Sequence, residues 1–386
     1  MTLFVRDFEA REFRSLKTIS YPMSNLDVFV GANGVGKTNL YRGLELLRSA
    51  AANTLARDLA GDGGLESAMW AGGRRRSEPA RIRLAVGLAD TASGRSAGAA
   101  YRYEVEVGFP PIEASAAFLA EPQIKAETLS FVGGTRPHRL LDRDGYAVMA
   151  RGEDGRPARI DMDLLASETV LGRLDDPSRY PELDAVRRTL LQWRFYHALR
   201  TDAASPLRQP CAAIATPSLA SNGADLAAVF ATLAHIRQDT FELDQVIDVA
   251  FPGSKLVVPR PGREAGFGMT FPEFPQRVFD ARELSDGTLR FLALAGALLA
   301  YRLPPFIALN EPEASLHPDL MEALAGLVVG AAERSQIWLV THSTRLAAAI
   351  TAAGSANVRH VVKQNGATVI EGLKAWGAFE DDEQRG

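Results

Sequence analysis

A single cysteine, Cys211, occurs in the 386 residues. One thiol excludes an intrachain disulfide framework and a cysteine-ligated zinc site. As a small hydrophobe it is assigned no role. Charge of one sign is also lacking: 43 Lys and Arg face 47 Asp and Glu, a formal net charge of −4. That balance excludes a surface coated in nucleic-acid-binding charge, although a local basic groove stays open. Lysine is confined to Lys17, Lys37, Lys125, Lys255, Lys363 and Lys374. With so much alanine beside the arginines, this reads as genomic base composition. Residues Met1–Arg6 lack the basic-then-apolar pattern of a secretory leader. Long hydrophobic runs are missing as well. The most apolar stretch, Leu289–Leu309, is interrupted by Arg302 and Pro304-Pro305, which would break a spanning helix. A buried helix followed by a buried strand is expected there, with no membrane segment and a cytoplasmic location. Sustained heptads and internal repeats are absent, which argues against a coiled-coil arm. The length suits one large or two to three ordinary domains around a substantial core.

What is present is organised around Gly31-Ala32-Asn33-Gly34-Val35-Gly36-Lys37-Thr38. The apolar run Leu26–Val30 before it reads as a buried strand. Asn39–Leu47 after it carries apolar residues at helical spacing. Strand, glycine loop and helix form the context of a P-loop. Glycines let backbone N–H groups curl around phosphate oxygens, and the helix N-terminus adds partial positive charge. Lys37 is expected on the β- and γ-phosphates, and Thr38 on Mg²⁺. Asn39 completes the expected ATP-binding set.

Around this loop the texture divides the chain into five parts: 1–79, the N-terminal part of an ATPase core; 80–160, an antiparallel β subdomain; 161–282, a mainly helical lobe; 283–375, the C-terminal part of the core; and 376–386, an acidic tail. Leu3–Phe8 and Lys17–Ser20 read as a strand pair, and the P-loop helix is expected to run to about Leu59. Arg81–Leu88 and Tyr101–Val107 alternate strictly, as half-wet antiparallel strands do. Helices are expected at Pro181–Trp193, Asp225–Ile236, Phe241–Ala250, Leu289–Tyr301 and Pro318–Val329. A hairpin should turn at Asn365-Gly366.

An ATPase also needs a carboxylate near the metal and a base near the γ-phosphate. Phe306–Leu309 followed by Asn310-Glu311-Pro312-Glu313 fits a strand that delivers both. Glu311 is the general-base candidate. Asn310 stands where Asp is expected, so one negative charge is missing beside Mg²⁺, and weaker metal affinity or slow turnover is expected. Val340-Thr341-His342-Ser343 puts His342 at a second strand end, as a γ-phosphate contact.

Together Phe13-Arg14-Ser15-Leu16, the P-loop, Leu284-Ser285-Asp286-Gly287-Thr288, Asn310–Pro318 and Val340–Ser343 resemble a RecF/SMC/OLD-type ABC ATPase head, above all the stand-alone ATPases of that group. The resemblance implies an α/β P-loop fold with a mixed sheet core, an antiparallel β lobe and an inserted helical lobe. It implies two ATP molecules held in a head-to-tail homodimer. Ser285, Asp286 and Gly287 of one copy would face the P-loop of the other, and hydrolysis would release the pair. Ser285-Asp286-Gly287 can equally be an ordinary helix cap. Ser315-Leu316-His317 corresponds to the segment that communicates between sites, and Arg14 is a further nucleotide contact. Gln123 is too weak a match for the family's Q-loop glutamine. No Toprim-like acidic framework follows His342, so a nuclease would come from a partner.

The expected role is an ATP-hydrolysing, dimerising switch in DNA repair, recombination or phage defence, with Lys37, Glu311 and His342 catalytic and Thr38 and Asn310 toward Mg²⁺. DNA is a candidate partner through Arg74, Arg75, Arg76, Arg136 and Arg139, residues that read equally as solvated loop charge. The alternative is an ATP sensor that controls an effector partner with little turnover.

Overall fold

The computed structural model describes residues 3–73, 79–90, 100–111, 118–133, 137–152, 155–197, 199–374 and 377–379. Arg74, Arg75, Arg76, Arg136 and the acidic run 380–383 lie outside the described residues. The chain forms two compact bodies: Met1–Ser24 with Gly31–Trp193 and Arg359–Gly386, and Asn25–Val30 with Arg194–Val358.

The first body is built on an eight-stranded antiparallel sheet. Its strands are β1 (Leu3–Phe13), β2 (Leu16–Pro22), β4 (Arg81–Asp90), β5 (Ala100–Gly108), β6 (Gln123–Phe131), β7 (His138–Asp144), β8 (Ala147–Arg151) and β9 (Pro157–Arg159), in the order β2-β1-β4-β5-β6-β7-β8-β9. Alternation explains it. Ile82, Leu84, Val86, Tyr103, Val105 and Val107 are buried. On the other face, Arg81 pairs with Glu106 of the neighbouring strand at 2.9 Å, and Arg102 reaches across β4, over Gly87, to Asp7 at 3.0 Å. The first strand pair, expected at 3–8 and 17–20, is longer and is closed by Arg14-Ser15, with Arg14 at φ 50°.

A buried carboxylate anchors a short helix to this sheet. Glu127 accepts from the amides of Val170 (2.6 Å) and Leu171 (2.9 Å) and from the Tyr103 hydroxyl (3.0 Å). The Arg143 guanidinium stands 3.9 Å away. Burial pushes Glu127 and Tyr103 up and Arg143 down from their ordinary values. The P-loop helix, Lys37–Ala51, buries Leu40, Tyr41, Leu44 and Leu47. It ends eight residues short of the expected Leu59, and Leu55–Gly61 and Gly64–Ala68 are separate helices. The cause is Asn53, which turns left-handed at φ 58° while the Thr54 amide bonds back to the Ser49 carbonyl at 2.9 Å. Asn tolerates that conformation better than most residues. β18 (Asn357–Gln364) and β19 (Ala367–Ile370) form the expected hairpin, with Asn365 at φ 50° and Gly366 at φ 82°. Two successive positive φ angles are what a tight hairpin turn matched to strand twist requires.

The second body contains four parallel strands, β10 (Arg194–Tyr196), β16 (Phe306–Asn310), β17 (Gln336–Thr341) and β3 (Leu26–Val30), in the order β10-β16-β17-β3. Every residue of β16, β17 and β3 is buried, which is why these runs do not alternate. Leu26, Val28, Ile307, Leu309, Ile337 and Leu339 belong to one apolar cluster with Leu292, Leu298, Leu324 and Val328 of the helices Asp286–Leu299 and Met321–Ala332. From other positions of the same strands, the rings of Phe29 and Trp338 stack at 4.1 Å. A short pair, β11 (Cys211–Ala212) with β13 (Glu264–Ala265), and a three-stranded sheet, β12 (Lys255–Val257), β14 (Gly268–Phe271) and β15 (Phe274–Asp280), complete the body.

Helix bounds differ elsewhere too: the helix expected at Pro318–Val329 opens as a 3₁₀ turn, Pro318–Leu320, and is α-helical over Met321–Ala332. The helix expected from Leu289 begins at Asp286, because Ser285 Oγ caps it by accepting from the Thr288 amide at 3.2 Å, and it stops at Leu299. The helix expected over 225–236 is α-helical only at Leu226–Thr232, then widens into a π-turn that ends at Gln238, φ 55°. Among the described residues no helix is long and apolar enough to cross a membrane.

Candidate nucleotide site

The loop Gly31–Thr38 continues the chain from the last residue of β3, and its conformation needs its glycines. Gly34 and Gly36 have φ 82° and 96°. A Cβ on Gly36 would lie 1.9 Å from Thr368 Oγ1 and 2.3 Å from Ser15 Oγ. Those two hydroxyls brace the loop. Thr368 Oγ1 donates to the Val35 carbonyl at 2.8 Å and lies 2.6 Å from Ser15 Oγ, which also accepts from Asn39 Nδ2 at 2.7 Å. The helix starts at Lys37 with no side-chain cap, and the Asn39 amide bonds the Gly36 carbonyl at 3.0 Å. The Lys37 side chain folds back, Nζ donating to the carbonyls of Gly31 (2.6 Å) and Ala32 (2.8 Å). Ala32, Asn33, Gly34 and Thr38 are exposed, while Gly31, Val35, Gly36 and Asn39 are partly covered. Arg14 is engaged elsewhere: its Nη2 bonds Asp62 Oδ2 at 3.0 Å, an oxygen shared with Arg42 Nε at 2.8 Å.

The second body brings Asn310, Glu311 and His342 together at adjacent strand ends. β16 and β17 are in register with Asn310 opposite Val340, and β17 and β3 with Thr341 opposite Val30. Glu311 sits just past its strand at φ 48°, its amide bonded to the Val340 carbonyl at 2.8 Å. Arg290 Nη2, from the helix Asp286–Leu299, donates to the Glu311 carbonyl at 3.2 Å. Burial pushes the Arg290 guanidinium down, and the charges of Glu313 and Glu311 oppose that shift.

Glu313 completes the cluster. Its Oε1 accepts from Thr341 Oγ1 (2.5 Å) and from the His342 amide (3.2 Å). His342 Nδ1 lies 3.4 Å from Glu313 and 3.5 Å from Glu311. The Glu311 and His342 side chains are 35% and 45% exposed, the Glu313 side chain only 6%. A reachable carboxylate and imidazole thus stand beside a buried carboxylate that bonds the His342 backbone.

Asn310 is 5% exposed. Its Nδ2 lies 2.6 Å from His197 Nδ1, and its Oδ1 has no hydrogen-bond partner among the described residues. An unmatched buried acceptor fits a cation ligand, so the residue present is compatible with Mg²⁺ despite the missing charge. Thr38, with an exposed hydroxyl, is the other metal candidate.

The predicted signature is an exposed helix end. Ser285 and Asp286 are solvent-facing, and Ser285 Oγ serves as the cap of its own helix. Arg208 holds the segment from beneath, through Asp286 Oδ1 (2.6 Å) and the Leu284 carbonyl (2.7 Å). Gly287 passes the Ser315 carbonyl so closely that a Cβ would sit 3.1 Å from it. Of the candidate phosphate contacts for DNA, Arg139 is described, paired with Asp142 at 3.0 Å. Sequence reasoning missed Glu313, Arg290, Arg208, His197 and Thr368. Glu313 stood inside a quoted motif; the rest carry no local signal.

Residues 28–348 match the family described as "AAA domain, putative AbiEii toxin, Type IV TA system". No curated protein matches the sequence. Among solved structures, the chain is similar to an Smc head bound to the C-winged helix domain of ScpA, at 16% identity and TM-score 0.51, over 95% of this chain and 97% of that one. It is also similar to an Smc head with an extended coiled coil bound to the C-terminal domain of ScpA, derived from Pyrococcus furiosus, at 13% identity and TM-score 0.51, over 100% and 98%. At these identities the likeness shows the fold, a P-loop α/β head of SMC type.

Proposed function

Because the chain belongs to that AAA-domain family and is an ATPase of AAA/SMC-head type, we propose that it hydrolyses ATP as a switch, dimerising head-to-tail around two ATP molecules. The observation that carries the reading is the cluster of Asn310, Glu311, Glu313 and His342 at the ends of adjacent parallel strands. The P-loop amides and Lys37 hold the phosphates, with Gly31–Asn39 lining them. Thr38 and Asn310 are each candidates to hold Mg²⁺, which when bound would offset phosphate charge. Glu311 takes the proton of the attacking water while the bond from the γ-phosphorus to the bridging oxygen breaks, releasing ADP and phosphate. His342, steadied at Nδ1, turns Nε2 to the γ-phosphate. The exposed helix end at Ser285, Asp286 and Gly287 meets the γ-phosphate of the partner's ATP, where backbone amides favour an anion.

The switch serves DNA-linked work in repair, recombination or phage defence. The family's toxin–antitoxin description supports the defence branch. The Smc heads bound to ScpA domains support a protein partner, an effector or nuclease, for this head also. Steady-state phosphate release tests the chemistry. Glu311→Gln should lower kcat by roughly 10²–10⁴-fold, the usual worth of a general base, and an unchanged rate would overturn the assignment.

Asn310 favours a second reading, a slow ATP sensor that controls its partner by occupancy. It carries no charge, and its amide nitrogen is committed to His197. Asn310→Asp should then raise turnover at limiting Mg²⁺. Identical Mg²⁺ titrations of the two proteins would reject slow turnover through Asn310.

A further inference from the structure

An aspartate at position 310 would present an oxygen to a cation whichever way it turned. An amide has one oxygen and one NH₂, and only one of its two orientations can bind a metal. The orientation is set by the neighbouring strand. β10 runs beside β16 with Phe195 opposite Ala308 and Tyr196 opposite Leu309. The next pair along that register is His197 and Asn310, so their side chains leave the sheet on the same face. His197 Nδ1 stands 2.6 Å from Asn310 Nδ2. An amide NH₂ can only donate, so this contact requires a lone pair on Nδ1 and the ring proton on Nε2. Oδ1 is thereby left on the opposite side, buried and without a hydrogen-bond partner among the described residues. A buried acceptor left open is costly, and native proteins seldom retain one without a use.

We propose that His197 is a positioning residue for the metal. By accepting from Nδ2 it locks the Asn310 amide with Oδ1 as the lone-pair donor to Mg²⁺, doing for an asparagine what symmetry does for an aspartate. The inference rests on the ATPase reading above. Removing a group that orients a metal ligand typically costs 10–100-fold in metal affinity.

The test measures Mn²⁺ affinity by the EPR signal of free Mn²⁺, on the full chain saturated with a non-hydrolysable ATP analogue. His197→Ala should weaken Mn²⁺ by roughly 10–100-fold. His197→Asn, whose Oδ1 can accept from the same amide, should keep most of the affinity. In an Asn310→Asp background His197→Ala should cause no loss, because a carboxylate needs no orientation. Equal losses in both backgrounds would show a merely structural role and overturn the proposal, as would full affinity in His197→Ala. Absence of nucleotide-dependent Mn²⁺ binding by the wild-type chain would instead overturn the ATPase reading, and this inference with it.

Discussion

Two glutamates two positions apart are proposed to do different work because one is reachable and the other is not. Glu311 is open to solvent at a strained φ of 48°, while Glu313 is buried against Thr341 and the His342 backbone. Glu313→Ala removes a charge-assisted hydrogen bond, worth about 1.5–3 kcal/mol. If that loss falls on the transition state, kcat drops roughly 10–100-fold with the KM for ATP unchanged. Steady-state kinetics separates this from a binding defect, in which KM would rise instead. Gly36→Ala acts on the other half. Its methyl would meet Thr368 Oγ1 in a φ region costing about 1–2 kcal/mol for an L-residue. Fluorescent-nucleotide titration should show affinity lowered by about tenfold or more, since 1.4 kcal/mol is a factor of ten.

At the scale of elements, the helix starting at Asp286 separates stability from function. Ser285→Ala should cost about 1 kcal/mol in urea unfolding, the usual worth of an N-cap. Ser285→Asp keeps a capping oxygen but sets a negative charge where a partner's γ-phosphate is proposed. It should unfold at nearly the wild-type urea concentration yet fail to dimerise with ATP. Dimerisation at wild-type strength would rule out the signature contact. The helix Val170–Arg173 depends on Glu127 in another way. Glu127→Ala strands the buried Arg143 guanidinium and two helix amides, and unfolding should show a loss of about 3–5 kcal/mol.

Elements were legible from sequence wherever one period ruled. The alternation of β4 and β5, the unbroken apolar runs of β16 and β17 and the Asn365-Gly366 turn all follow from local chemistry. Boundaries were lost where one residue outweighed its window, as Asn53 did by turning left-handed and Ser285 by capping upstream of the apolar run. The site was half legible for the same reason. Glu311 and His342 mark strand ends and can be read in place. His197 lies 113 residues from Asn310, and Thr368 lies 353 from Ser15. Those pairs exist only through strand register and close packing, which no local pattern encodes.

For the whole molecule, the proposed head-to-tail pair would make the P-loop and the helix end at Ser285 each half of a site. The P-loop has glycines and a lysine, and the helix end has an exposed serine cap flanked by Leu284 and Asp286, which Arg208 holds. In a head-to-tail pair each half would complete the other, with ATP as the shared ligand and hydrolysis as its release. Multi-angle light scattering of the Glu311→Gln protein, with and without Mg·ATP, tests this most directly. A monomer is expected without nucleotide and a doubling of mass with it, because ATP is bound and not cleaved. A protein that binds ATP yet keeps the same mass in both conditions would contradict it.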